Sequence, residues 1–126
     1  MEDLTVEWVL VIHDRVMARE NGDTRLLSEG GIHQMIFRAN LIPEVFSRAA
    51  FVLYSLVAYP VFREGNNRTA LEVARQVLAW EWYQLEPEHP RTQAFTEGIL
   101  AFTVVPEDIE EWLRRNVKKA GDPAQN

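Results

Sequence analysis

Apolar residues recur at every third or fourth position in about six stretches of this chain, and almost nowhere do they alternate with polar ones. A period of 3.6 puts such residues on one face of a helix, whereas a half-buried strand needs a period of two. The chain must therefore bury its apolar surface by packing helix on helix, so the expected fold class is all-α, a compact bundle of about six helices. Val6, Val9, Leu10, His13, Val16 and Met17 form the first stripe, on a helix from about Thr5 to Glu20 with Thr5 as cap and Asn21-Gly22-Asp23 as stop. A turn at Ser28-Glu29-Gly30-Gly31 leads into a short second helix, Gly31 to Ala39. The third, Pro43 to Tyr59 with Pro43 in its first turn, carries the widest apolar face, and Pro60 stops it because the residue before a proline is pushed out of the helical region. A fourth helix is expected from Asn66 or Asn67 to about Gln84, with Ala70, Val73, Ala74, Val77, Leu78 and Glu81 on its stripe. A polar connector, Leu85 to Pro90, precedes a fifth helix over about Arg91 to Phe102, and Pro106 opens a sixth. Phe102 to Val105 alone has some strand character.

With 126 residues, 47% of them hydrophobic, the chain has the size of one domain, expected over residues 1–120 with a disordered tail at 121–126. The net charge is −6. The basic cluster Arg114, Arg115, Lys118 and Lys119 follows Glu107, Asp108, Glu110 and Glu111, an order that suits the dipole of one solvated helix. Direct nucleic-acid binding, which needs a basic face, is not expected. The absence of cysteine excludes disulfides and thiolate-held zinc. No apolar run is long enough to cross a bilayer, and the acidic Met1-Glu2-Asp3 start is unlike a signal peptide, so no membrane and a cytoplasmic location are expected.

Chemistry concentrates in Phe62-Arg63-Glu64-Gly65-Asn66-Asn67-Arg68-Thr69-Ala70-Leu71. A carboxylate and a glycine lead into a helix start, where free amide N–H groups and the helix dipole favour an anion. Gly65 lets the backbone approach a ligand, Arg68 offers a planar charge suited to phosphate, and Glu64 suits a Mg²⁺ that bridges phosphate oxygens. The plainer alternative is a turn with Asn66 as cap and Arg68 on the surface, and turn chemistry alone favours it.

This segment resembles the Fic/Doc (death-on-curing) motif, in which a His, any residue and Phe precede any residue, Asp or Glu, Gly or Ala, Asn, Lys or Gly, and Arg. Phe62, Glu64, Gly65, Asn66 and Arg68 stand in register, and Thr69-Ala70-Leu71 continues as in death-on-curing members. The stretch from Leu4 to Arg15, the segment Leu27-Ser28-Glu29-Gly30 and the closing Ile109-Glu110-Glu111-Trp112-Leu113 extend the similarity over nearly the whole chain. The resemblance implies a toxin of a toxin–antitoxin pair that transfers phosphate or AMP from ATP to a protein hydroxyl, with ATP and Mg²⁺ as cofactors. It implies Phe62 as the structural anchor, Glu64 as the Mg²⁺ ligand and Gly65, Asn66, Asn67 and Arg68 as the phosphate-binding set. Its partners would be an antitoxin peptide that folds into a groove and, by analogy, a translation factor as target. The inhibitory Ser/Thr-x-x-x-Glu-Gly/Asn segment of Fic proteins is absent at its spacing, since Glu29 lies five residues after Thr24. Control by a separate partner fits better.

The departures are as telling as the matches. The motif histidine falls at Pro60, which has no proton acceptor, and the usual Lys or Gly is Asn67. General-base catalysis contributes ~10²–10⁴-fold, so weakened or lost transfer is expected. The alternative function is a non-catalytic nucleotide- or peptide-binding module on the same fold; a third is a helical scaffold without ligand. His33, near the start of the second helix, is the best substitute base, although a surface role fits it more simply. His13, on the first stripe, reads as a core histidine, His89 as exposed in its connector, and Tyr59 as a poor base. Of Trp80, Trp82 and Tyr83, neighbours pointing different ways on a helix, at least one should be exposed; Trp80 is expected to pack on the fifth helix and Trp8 is a second exposed candidate.

Overall fold

The computed structural model describes residues 2–85, 90–101 and 103–120, with backbone alone for residues 90–93. The tail at 121–126, Phe102 and His89 lie outside the described residues. Six helices and one two-stranded ribbon make up the fold: α1 (Val6–Glu20), α2 (Glu29–Asn40), α3 (Val45–Ala58), α4 (Asn66–Ala79), β1 (Tyr83–Leu85), α5 (Pro90–Leu100), α6 (Pro106–Arg115) and β2 (Val117–Lys119). The all-α bundle is therefore the observed architecture. No helix among the described residues is long and apolar enough to cross a membrane.

Local chemistry sets the helix starts. The Thr5 hydroxyl accepts from Trp8 N–H at 3.1 Å, and Ser28 Oγ accepts from Gly31 N–H at 3.0 Å, each satisfying an amide that has no partner within the helix. α2 thus begins two residues earlier than the sequence suggests. α3 begins later: Glu44, not Pro43, defines its start, its carboxylate accepting from Phe46 N–H at 3.1 Å, Ser47 N–H at 2.7 Å and the Ser47 hydroxyl at 2.9 Å.

Burial pushes the Glu44 carboxyl up, but the Ser47 and Phe46 amides, the Ser47 hydroxyl and the nearby Arg114 outweigh it and hold it below the usual carboxylate range. A depressed folded pKa stabilises above the unfolded value, near 4.5, and that contribution disappears as pH falls through the folded value. Glu44→Ala is expected to cost about 1 kcal/mol at pH 7. The gap in melting temperature from wild type should narrow below pH 4.5; a gap that stays constant down to acid would contradict the cap.

α3 is the central helix, as expected, packed most extensively against α4 and then α6. Val52, Leu56, Ala70, Val73, Ala74 and Val77 are fully buried between them. Arg48 is buried too, with 4% of its surface exposed. Its guanidinium donates to the carbonyls of Ile42 (3.0 Å), Glu2 (2.8 Å) and Asn40 (3.2 Å), closing the C-terminal end of α2 and the N-terminal segment over the start of α3. Asn40 completes that junction: its side chain accepts from Leu4 N–H at 2.7 Å and donates to Leu4 O at 3.0 Å.

α4 ends at Ala79, short of the expected Gln84. Trp82 adopts a left-handed backbone (φ 64°), which no helix continues through, and the chain turns into β1. β1 pairs antiparallel with β2, Tyr83 opposite Lys119 and Leu85 opposite Val117. The strand character thus lies there, and residues 103–105 form none. This also divides the basic cluster: Arg114 and Arg115 close α6 as paired partners of Glu110 and Glu111, while Lys118 and Lys119 belong to β2. Trp80 stacks on Trp8 of α1 (centroids 5.0 Å apart), so Trp8 is half-buried and not the exposed residue expected, and Trp82 is the exposed tryptophan of the group.

Candidate functional site

The loop between α3 and α4 is built around Phe62, 1% exposed. Its ring lies flat on the His13 imidazole, centroids 3.6 Å apart and planes within 6°. A carbonyl can only accept, so His13 Nε2 carries the proton it donates to Glu64 O at 2.8 Å. His13 is thus a core histidine that ties α1 to the loop. The Asn66 side chain closes the loop on itself, accepting from Phe62 N–H at 3.0 Å and donating to Phe62 O at 2.8 Å. The α1–α2 connector runs alongside: Leu26 pairs with Phe62 as an isolated antiparallel bridge, and Leu27 N–H donates to Val61 O at 2.7 Å.

Gly65 is the N-cap of α4 at φ 76°, left-handed backbone that favours glycine. A Cβ there would meet the flexible end of the Met17 side chain, so the left-handed backbone is the main reason for glycine. No side chain caps α4. The amides of Asn66, Asn67 and Arg68 therefore point out of the helix without an acceptor from a side chain, while Thr69 N–H is the first to reach back, to Gly65 O at 2.9 Å.

The two charged motif residues go to different neighbours. Glu64 is exposed, and its Oε2 accepts from Asp23 N–H at 3.1 Å. The Asp23 carboxyl is lowered to about 2, above all by the Arg25 side chain, then by the Arg25 amide. Arg68 pairs with Glu20 at the end of α1, at 2.5 Å, and lines a cleft of about 490 Å³ between α1 and α4. Glu64, Gly65, Asn66 and Asn67 do not line that cleft.

Pro60 lies elsewhere again. With Tyr59 and Val61 it lines a groove of about 550 Å³ between α2 and α3, walled by Met35, Phe51 and Tyr54. Arg38 is the one charged residue that lines it among the described residues. His33 is exposed on α2 and lines neither hollow, so among the described residues the groove that holds Pro60 has no histidine in its wall. Arg48, Arg19 and Arg75 carry no motif and were not legible as special residues. Thr69 is fully buried with its hydroxyl unpartnered.

An ATP–Mg²⁺ site on the motif would need Glu64 and Arg68 to face one polyphosphate. Arg68 turns to Glu20, Asn66 is consumed by Phe62, and one Glu64 oxygen is taken by Asp23 N–H. What remains for a phosphate is three amides and one carboxylate oxygen, so the residues as placed do not assemble that group's site. Among the described residues no three His, Asp or Glu side chains cluster to hold a metal ion.

No family model matches the chain, and no curated protein matches it.

Proposed function

We propose that this chain is a death-on-curing (Fic/Doc)-type protein of a toxin–antitoxin pair that binds its partner peptide and has lost transfer of phosphate or AMP. One observation carries the reading: the motif histidine's position is Pro60, and it forms part of an apolar groove in which, among the described residues, no base stands in for it. Loss of a general base alone removes ~10²–10⁴-fold of rate. The groove's apolar walls and the cation Arg38 complement an amphipathic peptide helix with a carboxylate beside its apolar stripe. An antitoxin tail of that chemistry is the occupant.

The test is to co-express the chain with the product of the neighbouring reading frame and purify by a tag on that product. A one-to-one complex is expected, lost in Arg38→Glu and in Met35→Glu, with Arg38→Glu itself still folded by circular dichroism. Failure of the neighbour's product to co-purify, or equal retention of both variants, overturns the reading.

A further inference from the structure

The cleft between α1 and α4 gathers three arginines, Arg19, Arg68 and Arg75, in a chain whose net charge is −6. Arg68, Glu72 and Arg75 share one face of α4 at helical spacing, and Arg19 reaches the same hollow from the last turn of α1. Arg75 pairs with Glu72 at 2.5 Å and Arg68 with Glu20 at 2.5 Å. Arg19 has no ion-pair or hydrogen-bond partner among the described residues. Two carboxylates against three guanidinium groups leave a net single positive charge in a concave site. The dipole of α1 favours one arginine at its end, but gives no reason for two more converging from α4. Beside the charges lies an apolar floor, Val16, Leu71 and Leu85, with Gln84 at the rim. This cleft shares no residue with the groove that holds Pro60.

We infer that this cleft is a binding site for a small organic phosphate, its anionic end on Arg19, Arg68 and Arg75 and its apolar body on Leu71 and Leu85. Guanidinium forks match phosphate oxygens two at a time, and their weaker hydration makes them the usual choice for that group. A floor of about 490 Å³ also admits more than an inorganic ion. The site needs no metal, shares only Arg68 with the phosphate-binding set that the resemblance implies, and lies apart from the groove of the proposed function.

The probes are ATP, inorganic pyrophosphate and citrate, each titrated without Mg²⁺ into the purified full chain at low salt by calorimetry. ATP is expected to bind, pyrophosphate more weakly because it lacks a body for the floor, and citrate weakest. Arg19→Ala, which breaks no contact of the fold, should weaken ATP by about tenfold or more, the loss of one charge-assisted pair. Arg75→Gln should act likewise, and Arg115→Ala, on α6 and outside the cleft, should leave the affinity unchanged. Absence of heat with ATP and pyrophosphate, or equal affinity in Arg19→Ala, overturns the assignment. Binding that appears only when Mg²⁺ is added, and is then lost in Glu64→Ala but kept in Arg19→Ala, places the phosphate at the start of α4 and overturns it as well. Citrate binding as tightly as ATP shows a general anion trap and contradicts the phosphate class.

Discussion

Replacing Phe62 by alanine is expected to destabilise the protein by about 4 kcal/mol, a large share of the ~5–15 kcal/mol that holds a domain of this kind together. The ring is 1% exposed, so its removal opens a cavity as well as returning apolar area to water. The flat stack on His13 is lost with it, and His13 is the side chain that ties α1 to the loop through Glu64 O. The Asn66 latch grips the Phe62 backbone, not the ring, and survives the substitution. Urea unfolding followed by tryptophan fluorescence should show a lower midpoint with an unchanged slope. Phe62→Leu, which refills part of the space, should cost less than half as much. A loss under about 1 kcal/mol in Phe62→Ala would mean that the loop is not anchored in the core.

The second large effect belongs to Arg48. Its guanidinium answers three carbonyls, those of Glu2, Asn40 and Ile42, with no carboxylate in the set. Removing the donor leaves three part-buried carbonyls without their partner, at about 1–3 kcal/mol for each that water does not reach. Arg48→Ala is therefore expected to cost about 3–5 kcal/mol, and Arg48→Met somewhat less, because it keeps the apolar stem that packs along α3. Arg48→Lys should not rescue, since one ammonium cannot span three carbonyls in a fixed fork. Hydrogen exchange offers the finer reading: amides at the end of α2 and the start of α3 should lose protection first. If Arg48→Lys matches wild type, the fork geometry is not what matters.

Much of the fold could be read in the sequence because its causes are local. Thr5, Ser28 and Pro106 mark helix starts within a few residues of where they act, and the 3.6-residue stripe placed His13 in the core. What escaped was set at a distance. Arg48 looks like a surface charge in an apolar helix until Glu2 and Asn40 are brought beside it. α4 carries a helical stripe on to Glu81, and only the left-handed turn at Trp82 and the pairing of Tyr83 with Lys119 end it early. The candidate site divides along the same line. Phe62, Gly65 and Asn66 act within the loop itself: Phe62 is the anchor that the resemblance implies, but Gly65 takes the cap position expected of Asn66, whose side chain latches the Phe62 backbone instead. The directions taken by Glu64 and Arg68 depend on Asp23 and Glu20, which the α1–α2 turn delivers from elsewhere in the chain. A motif read in one dimension places those two charges side by side, and the packing separates them.

The claim that partner binding remains while group transfer is gone meets its most direct measurement in a labelling assay. The purified protein is incubated with Mg²⁺ and ATP, labelled in one set at the α- and in another at the γ-phosphate, together with cell lysate. No protein band is expected to take up label above the level given by Glu64→Ala. Label that appears on a lysate protein with the wild-type chain, and disappears with Glu64→Ala or Arg68→Ala, would contradict the account.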